Sequence, residues 1–365
     1  VTPRTGRLLG AAMVLLAAVG GVALFVTRDD GGDPAPPPPD DAAPVVTTTT
    51  APPVVGAIDL GSGVTLDPIG EVPGATALSI VDGEVRATDA SSGARYVVAT
   101  GGGAAEVEGP LTFGSQSRLD RSEPTPDGAD RWVAEATQLH RIDDEGEILD
   151  SVTLEVPGAV SAIDDQAVWL TVSGVPAAHT GGGPGAQSVL QRVDRETLEV
   201  VARPLEDPTN FRFALGDGVV WVTVGRTLYR LDPITLEPTG EVELDEAASA
   251  LLVGADGEVL VVVGGEEPAL VRVGPGDLAE IGRVALGPGS VGDAVVVGDR
   301  LGRDGEVWIT RPSDDAVLRV EPASGAVEEV AVVAPLRVDV DERGDVWLLS
   351  GAAGGTLLRA ASPTG

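Results

Sequence analysis

DGEVWIT, residues 304 to 310, sets an Asp-Gly pair directly before a run of β-branched and aromatic residues. That order is the composition of a tight hairpin turn leading into a buried strand. All five tryptophans of the chain occupy one position of this unit: DRWVA at Trp132, AVWLT at Trp169, VVWVT at Trp221, EVWIT at Trp308 and DVWLL at Trp347. Two further copies replace the indole, DGEVR with Arg86 and DGEVL with Leu260. The seven positions lie 46, 37, 52, 39, 48 and 39 residues apart. Repetition at this period, with room for four short strands in each unit, is the signature of β-propeller blades.

The rest of each unit agrees. A strand carrying an arginine follows the tryptophan motif, as in LHRID, LQRVD, LYRLD, LVRVG, VLRVE and LLRAA (Arg141, Arg192, Arg230, Arg272, Arg319 and Arg359). A third run resembles GEVEL after Gly240, and an apolar segment such as ALSIV precedes each motif. The last unit lacks its fourth strand, whereas LDPIGEV (residues 66 to 72) precedes the first and aligns with LEPTGEV (236 to 242). The reading is therefore an all-β, seven-bladed propeller of four-stranded blades, closed by an N-terminal strand inserted in the last blade, which removes open sheet edges.

The run DGEVWIT…AVLRVEPASGAV, residues 304 to 327, resembles blades of the virginiamycin B lyase-like (streptogramin lyase-like) propellers and, less specifically, NHL-type propellers, over about residues 64 to 365. The resemblance implies a seven-bladed ring used as an extracytoplasmic or soluble binding scaffold. The lyase activity of that family relies on histidine with metal-binding acidic side chains. His140 and His179, the two histidines of this chain, supply no counterpart.

Composition narrows the partners. With 57 acidic residues against 24 basic ones, all arginine, the net charge is −33; a phosphate backbone is repelled, and nucleic acid is not an expected partner. The absence of cysteine excludes disulfides, thiol catalysis and zinc-thiolate sites. Leu8 to Val26 is uncharged for nineteen residues, preceded by Arg4 and Arg7, so it is expected to be a single-pass signal-anchor helix of roughly 28 Å with its N-terminus, residues 1–7, in the cytoplasm. Residues 27–57, rich in Pro, Thr and Asp, read as a disordered semi-rigid stalk. The propeller then occupies 58–365, at the cell membrane and outside the cytoplasm, or secreted if the N-terminal segment is cleaved.

The repeated residues are read as structural. Trp132, Trp169, Trp221, Trp308 and Trp347 fill wedges between blades. Asp82-Gly83, Asp217-Gly218, Asp256-Gly257 and Asp304-Gly305 make hairpin turns. The strand arginines pair with carboxylates of neighbouring blades, and His140, in the slot that Tyr229 takes elsewhere, packs. Function is sought where the copies differ. Arg212 and Arg337 take equivalent positions near the start of a first strand, Asp293 falls near the match, and two arginines facing a channel suit a carboxylate, phosphate or acidic sugar. Loops 173–187, with His179, and 207–213, with Asn210, would join them on one face, along with 264–268 and 311–315. The expected function is a non-catalytic binding module for a protein, peptide or glycan, monomeric and without a cofactor. The alternative is a metal-assisted lactonase-like hydrolase or lyase with a divalent ion at the channel mouth.

Overall fold

The computed structural model describes residues 57–361 apart from 61–64, 82–83, 90–94, 100–107, 112–122, 126–129, 144, 177–185, 206–210, 217, 255–256, 298–304, 342 and 352–354. Contacts divide the chain into Val1–Thr50, which lies wholly outside the described residues together with the expected anchor, and Ala51–Gly365. Among the described residues no helix is long and apolar enough to cross a membrane. The strands are β1 (Ile58–Asp59) and β2 (Thr65–Glu71), then β3 (Ala77–Val81), β4 (Glu84–Thr88), β5 (Arg95–Ala99) and β6 (Glu108–Leu111) in blade 1. Blade 2 holds β7 (Glu123–Pro124), β8 (Arg131–Glu135), β9 (Gln138–Ile142) and β10 (Ile148–Thr153). Blade 3 holds β11 (Ala159–Ile163), β12 (Ala167–Pro176), β13 (Ala186–Asp194) and β14 (Val200–Leu205). Blade 4 holds β15 (Phe211–Gly216), β16 (Val219–Val224), β17 (Thr227–Leu231) and β18 (Pro238–Glu243). Blade 5 holds β19 (Ala248–Val253), β20 (Val259–Val263), β21 (Ala269–Val273) and β22 (Glu280–Ala285). Blade 6 holds β23 (Ala294–Val297), β24 (Glu306–Arg311), β25 (Ala316–Glu321) and β26 (Ala326–Ala331). Blade 7 holds β27 (Pro335–Val340), β28 (Val346–Ser350) and β29 (Thr356–Ala360).

Each sheet is an antiparallel meander, and blade 7 has the order β1-β2-β29-β28-β27. The N-terminal strand therefore closes the ring, with Leu66 opposite Ala360 and Asp67 opposite Arg359. Its register differs from the sequence alignment. That alignment matches Val72 with Val242, but Val72 donates its N–H to Gly355 O, as Leu244 does to Arg226 O and Leu286 to Pro268 O. The strand is thus slipped by two residues, which keeps its buried face buried because side chains alternate with a period of two. Leu66 and Val72 are both fully buried as a result.

The five tryptophans are at most 1% exposed, and each packs on the next blade around the ring. Trp132 clusters with Val168 and Leu170, Trp169 with Val220 and Val222, Trp221 with Val259 and Val261, Trp308 with Val346 and Leu348, and Trp347 with Val85 and Ala87. Acids two to six residues earlier hold the indole N–H: Trp169 Nε1 donates to Asp164 Oδ2 at 2.8 Å, Trp308 to Glu306 Oε2 at 3.1 Å and Trp347 to Asp341 Oδ2 at 3.0 Å. Asp341 also accepts the N–H groups of Arg343 and Asp345, so the acidic run ends in a turn built on Asp341, after β27 has closed at Val340. Gly218 and Gly305 have φ of 71° and 70°, the left-handed conformation for which glycine is selected in tight turns. Their aspartate neighbours Asp217 and Asp304, with Asp82, Gly83 and Asp256, lie outside the described residues.

The strand arginines correct one expectation. Each lies directly across from the tryptophan position of its own blade, as Trp132 from Arg141, Trp221 from Arg230, Leu260 from Arg272 and Trp308 from Arg319. For four of the six a carboxylate partner stands two residues before that position in the same blade, not in a neighbour, and Arg192 pairs with Asp194, again of its own blade. Arg141 meets Asp130 at 2.7 Å, Arg272 meets Glu258 at 2.7 Å, Arg319 meets Glu306 at 3.2 Å, and Arg359 Nε donates to Asp345 at 3.0 Å. The acid and the arginine flank the indole on adjacent strands, a reach that needs no second blade. The arginines contact the next blade through main-chain carbonyls instead: Arg230 donates to Pro275 O at 2.7 Å and Gly276 O at 2.9 Å, Arg272 to Pro322 O at 3.3 Å, and Arg319 to Leu60 O at 2.9 Å. His140 is buried, opposite Val133 as Tyr229 is opposite Val222, with Nδ1 2.8 Å from Ser151 Oγ.

Candidate functional site

In a propeller the first strand of each blade lines the channel, so residues at one height of those strands form a ring. Counting two residues past the tryptophan defines such a height. Arg212 pairs with Thr223, Arg337 with Leu349, and Asp293 exchanges hydrogen bonds with Thr310. At the same height blades 1, 3 and 5 present Ala77, Ala159 and Ala250; the residue of blade 2 lies outside the described residues. Three charged side chains thus share a level with three alanines, which leave space beside them.

The charged groups sense one another. Burial, followed by the charge of Arg337, pulls the Arg212 guanidinium below its usual pKa, against the opposing pull of Asp293. Burial pushes Asp293 up, against an N–H from Val338 at 3.2 Å and the charges of Arg337 and Arg212. Arg212 donates Nε to Ser249 O at 2.6 Å and Nη1 to Phe211 O at 2.8 Å. Arg337 Nη1 donates to Leu336 O at 3.0 Å. Arg212 and Asp293 therefore each anchor to the first strand of the following blade, which fixes their position as well as the ring. His179 and Asn210, the other expected site residues, lie outside the described residues. The loop expected over 173–187 is shorter: pairing continues through Val175 with Gln187 and Pro176 with Ala186, because the alternating residues before Pro176 can extend the ladder.

Asp339, the first acid of the run 339–345, also belongs to this channel. It pairs with Trp347 one level below the ring. Burial raises its carboxyl to about 6; the charges of Asp293 and Asp341 add to the rise, and N–H groups of Val340 and Ile80 oppose it. Applying the tryptophan register to every first strand would have found it, since the same position holds Ser79, Ala162, Ala214, Leu252 and Val295 in five other blades and a second acid, Glu123, in blade 2. A carboxyl whose pKa is higher folded than unfolded contributes stability below its unfolded value, near 3.9, and loses it as the pH climbs through 6. Asp339→Asn is therefore expected to gain on the parent by roughly 1–3 kcal/mol between pH 4 and pH 7, measured as the difference in urea unfolding free energy; a gap constant across that range would refute the assignment.

Among the described residues no group of three or more His, Cys, Asp or Glu side chains converges to hold a metal ion. What the channel offers is two guanidiniums, one buried carboxylate between charges, and a carboxyl raised to about 6, mostly ionised at neutral pH but easily protonated just below it. This set can grip an anionic group and exchange a proton with it.

No protein-family model and no characterised protein matches the sequence. Solved structures do match in fold. The WD40 β-propeller domain of Doa1 superposes with a TM-score of 0.58 at 11% identity, covering 83% of this chain and 98% of that one. The β-propeller domain of Myceliophteria thermophila Cps50 (Swd1) gives 0.54 at 11% identity, over 82% and 100%. The chain shares the seven-bladed architecture with these domains, and at such identity the likeness extends to fold alone.

Proposed function

We propose that the chain is a membrane-anchored propeller displayed outside the cytoplasm, which binds without catalysis an anionic group presented by a protein, peptide or glycan at the channel mouth. The observation that carries this reading is that Arg212 and Arg337 stand at one height of the first strands of blades 4 and 7, with Asp293 of blade 6 at that height and alanines there in blades 1, 3 and 5. Holding two like charges together in a partly desolvated space is costly. An acidic protein with alanines at the same height of three other blades has no packing need for it. An incoming carboxylate, phosphate or acidic sugar would relieve the repulsion and complete the charge balance that Asp293 begins.

The test is capture from the membrane fraction on the full chain, comparing the parent with Arg212→Gln/Arg337→Gln and with a chain shortened over 177–185. Loss of the same partners from both variants, with at least a tenfold fall in affinity, is expected from two charge-assisted hydrogen bonds at about 1.5–3 kcal/mol each. An unchanged partner set in both variants defeats the reading.

The resemblance to streptogramin lyase-like propellers keeps a metal-assisted lactonase-like hydrolase or lyase as the second reading. The raised Asp339 carboxyl beside Asp293 favours it. A rise in melting temperature with added Mn²⁺ or Ca²⁺ that Asp293→Asn abolishes would select that chemistry over simple binding.

A further inference from the structure

The arginine clasps that join successive blades are not made everywhere. Arg230, Arg272 and Arg319 each donate across a seam to a carbonyl of the next blade, and in blades 5 and 6 the acceptor is the proline at the second position of the turn between third and fourth strands, Pro275 and Pro322. The corresponding residue of blade 4 is Pro233, in a turn closed by Asp232 N to Glu237 O. Arg192 of blade 3 does not reach it. Its side chain is 6% exposed, Nη2 turns back to Asp194 of its own blade at 3.1 Å, and Nε has no partner. This seam is bridged instead by Arg203, which donates to Leu236 O at 3.1 Å, and beside Arg192 a cavity of about 360 Å³ opens, lined by Arg192, Pro233, Trp169, Leu215 and Val219.

The preceding seam repeats the pattern. Arg141 of blade 2 is taken by Asp130 and Asp150 and makes no bond to Arg195, which stands at the second turn position of blade 3. A cleft of about 500 Å³ lies there, lined by four carboxylates, Asp130, Asp165, Asp194 and Glu196, and by Arg141 and Arg195. Asp165 and Gln166 line both spaces, so the two adjoin at the edge of blade 3. They lie on the face of the Asp-Gly turns, opposite the face to which the channel arginines belong.

We infer that this double cleft flanking blade 3 is a docking groove for a short peptide segment of a partner protein, one that supplies a main-chain carbonyl to Arg192, an apolar side chain to the wall of Trp169, Leu215 and Val219, and a Lys or Arg to the neighbouring cleft. The chain itself shows what the guanidinium takes: at the intact seams the sister arginines hold a carbonyl from a proline turn. The volume suits a side chain with its flanking backbone. The second cleft favours a basic residue, because its four carboxylates outnumber Arg141 and Arg195: Asp194 is lowered to about 2, chiefly by the Thr197 N–H and also by Arg192, and Asp165 and Glu196 stand exposed beside it. The groove is separate from the channel and does not depend on the reading proposed for it.

A displayed library of random nonapeptides, panned on the immobilised full chain, tests the proposal. Enriched peptides are expected to carry an apolar residue within four positions of a Lys or Arg. Asp165→Lys/Glu196→Lys, both exposed and outside the core, should weaken synthetic copies of them at least tenfold. Gly218→Asn, at a left-handed position that asparagine tolerates and with open space around a new side chain, should weaken them by narrowing the cavity mouth. Arg212→Gln/Arg337→Gln should leave them unchanged. The proposal is overturned if no such peptides are enriched, if both groove variants bind them as the parent does, or if only the channel variant loses them.

Discussion

A chain that begins at residue 73 is expected not to fold to a monomeric ring, whereas one that begins at residue 57 should behave as the parent. The difference between the two is β1, β2 and the residues beside them. Leu60, Leu66 and Val72 are at most 2% exposed, and their burial is worth roughly 1.5–3 kcal/mol each. Their sum is comparable with the whole stability of an ordinary domain, about 5–15 kcal/mol. Removing them also frees the edge of β29 along the positions that now face Leu66 to Glu71, and an open apolar edge invites pairing with another chain. Arg319, nearly buried, loses the Leu60 carbonyl at the same time. Size-exclusion chromatography with circular dichroism should show aggregates or soluble oligomers with a broad thermal transition, and the peptide 57–72 added in trans should restore a cooperative one. A monomer melting within a few degrees of the longer chain would show that the seventh blade does not need its borrowed strand.

That closure was legible in the sequence, but its register was not, and the contrast shows what a repeat can and cannot convey. Seven copies of one motif determine the ring because each blade leaves an apolar face that only the next can cover. The tryptophan position gives the strand-to-strand alignment, which is why Arg212, Asp293 and Arg337 emerge at one height. LDPIGEV was matched to LEPTGEV by residue identity, yet a two-residue slip preserves the buried face. The hydrogen bond from Val72 to Gly355, not the shared Gly-Glu-Val, decides between the two registers. Asp339 escaped notice because it sits in a run of acids whose other members make a turn. The groove beside blade 3 was out of reach for another reason. Arg192 carries the same motif as Arg230 and Arg272, and only the directions of their guanidiniums distinguish a closed seam from an open one.

Glu306→Ala should be the most damaging single substitution among the acids of the described blades, lowering the unfolding free energy by about 3–5 kcal/mol. The reason lies in its burial and in the number of donors that converge on it. The Glu306 side chain is fully buried and that of Arg319 is 3% exposed. The carboxylate takes the Trp308 indole N–H and lies beside the guanidinium, which stacks 5.4 Å from the centre of the same indole. Truncation leaves that guanidinium with the half-exposed Glu328 and one carbonyl, far short of its five donors. Breaking a buried pair costs more than the pair was worth, because an uncompensated charge remains in low dielectric. The same argument predicts a gradient around the ring. Glu258 and Arg272 have the same contact with side chains 18% and 23% exposed, so Glu258→Ala should cost only about 1–2 kcal/mol, water replacing the lost partner. It also predicts a rescue: Glu306→Met/Arg319→Met removes both charges together and should recover most of the loss. Urea unfolding of the three variants and the parent decides the matter. Equal losses at 306 and 258, or a double variant no better than Glu306→Ala, would mean that the acid-tryptophan-arginine unit contributes through packing of the indole and not through its buried charge pair.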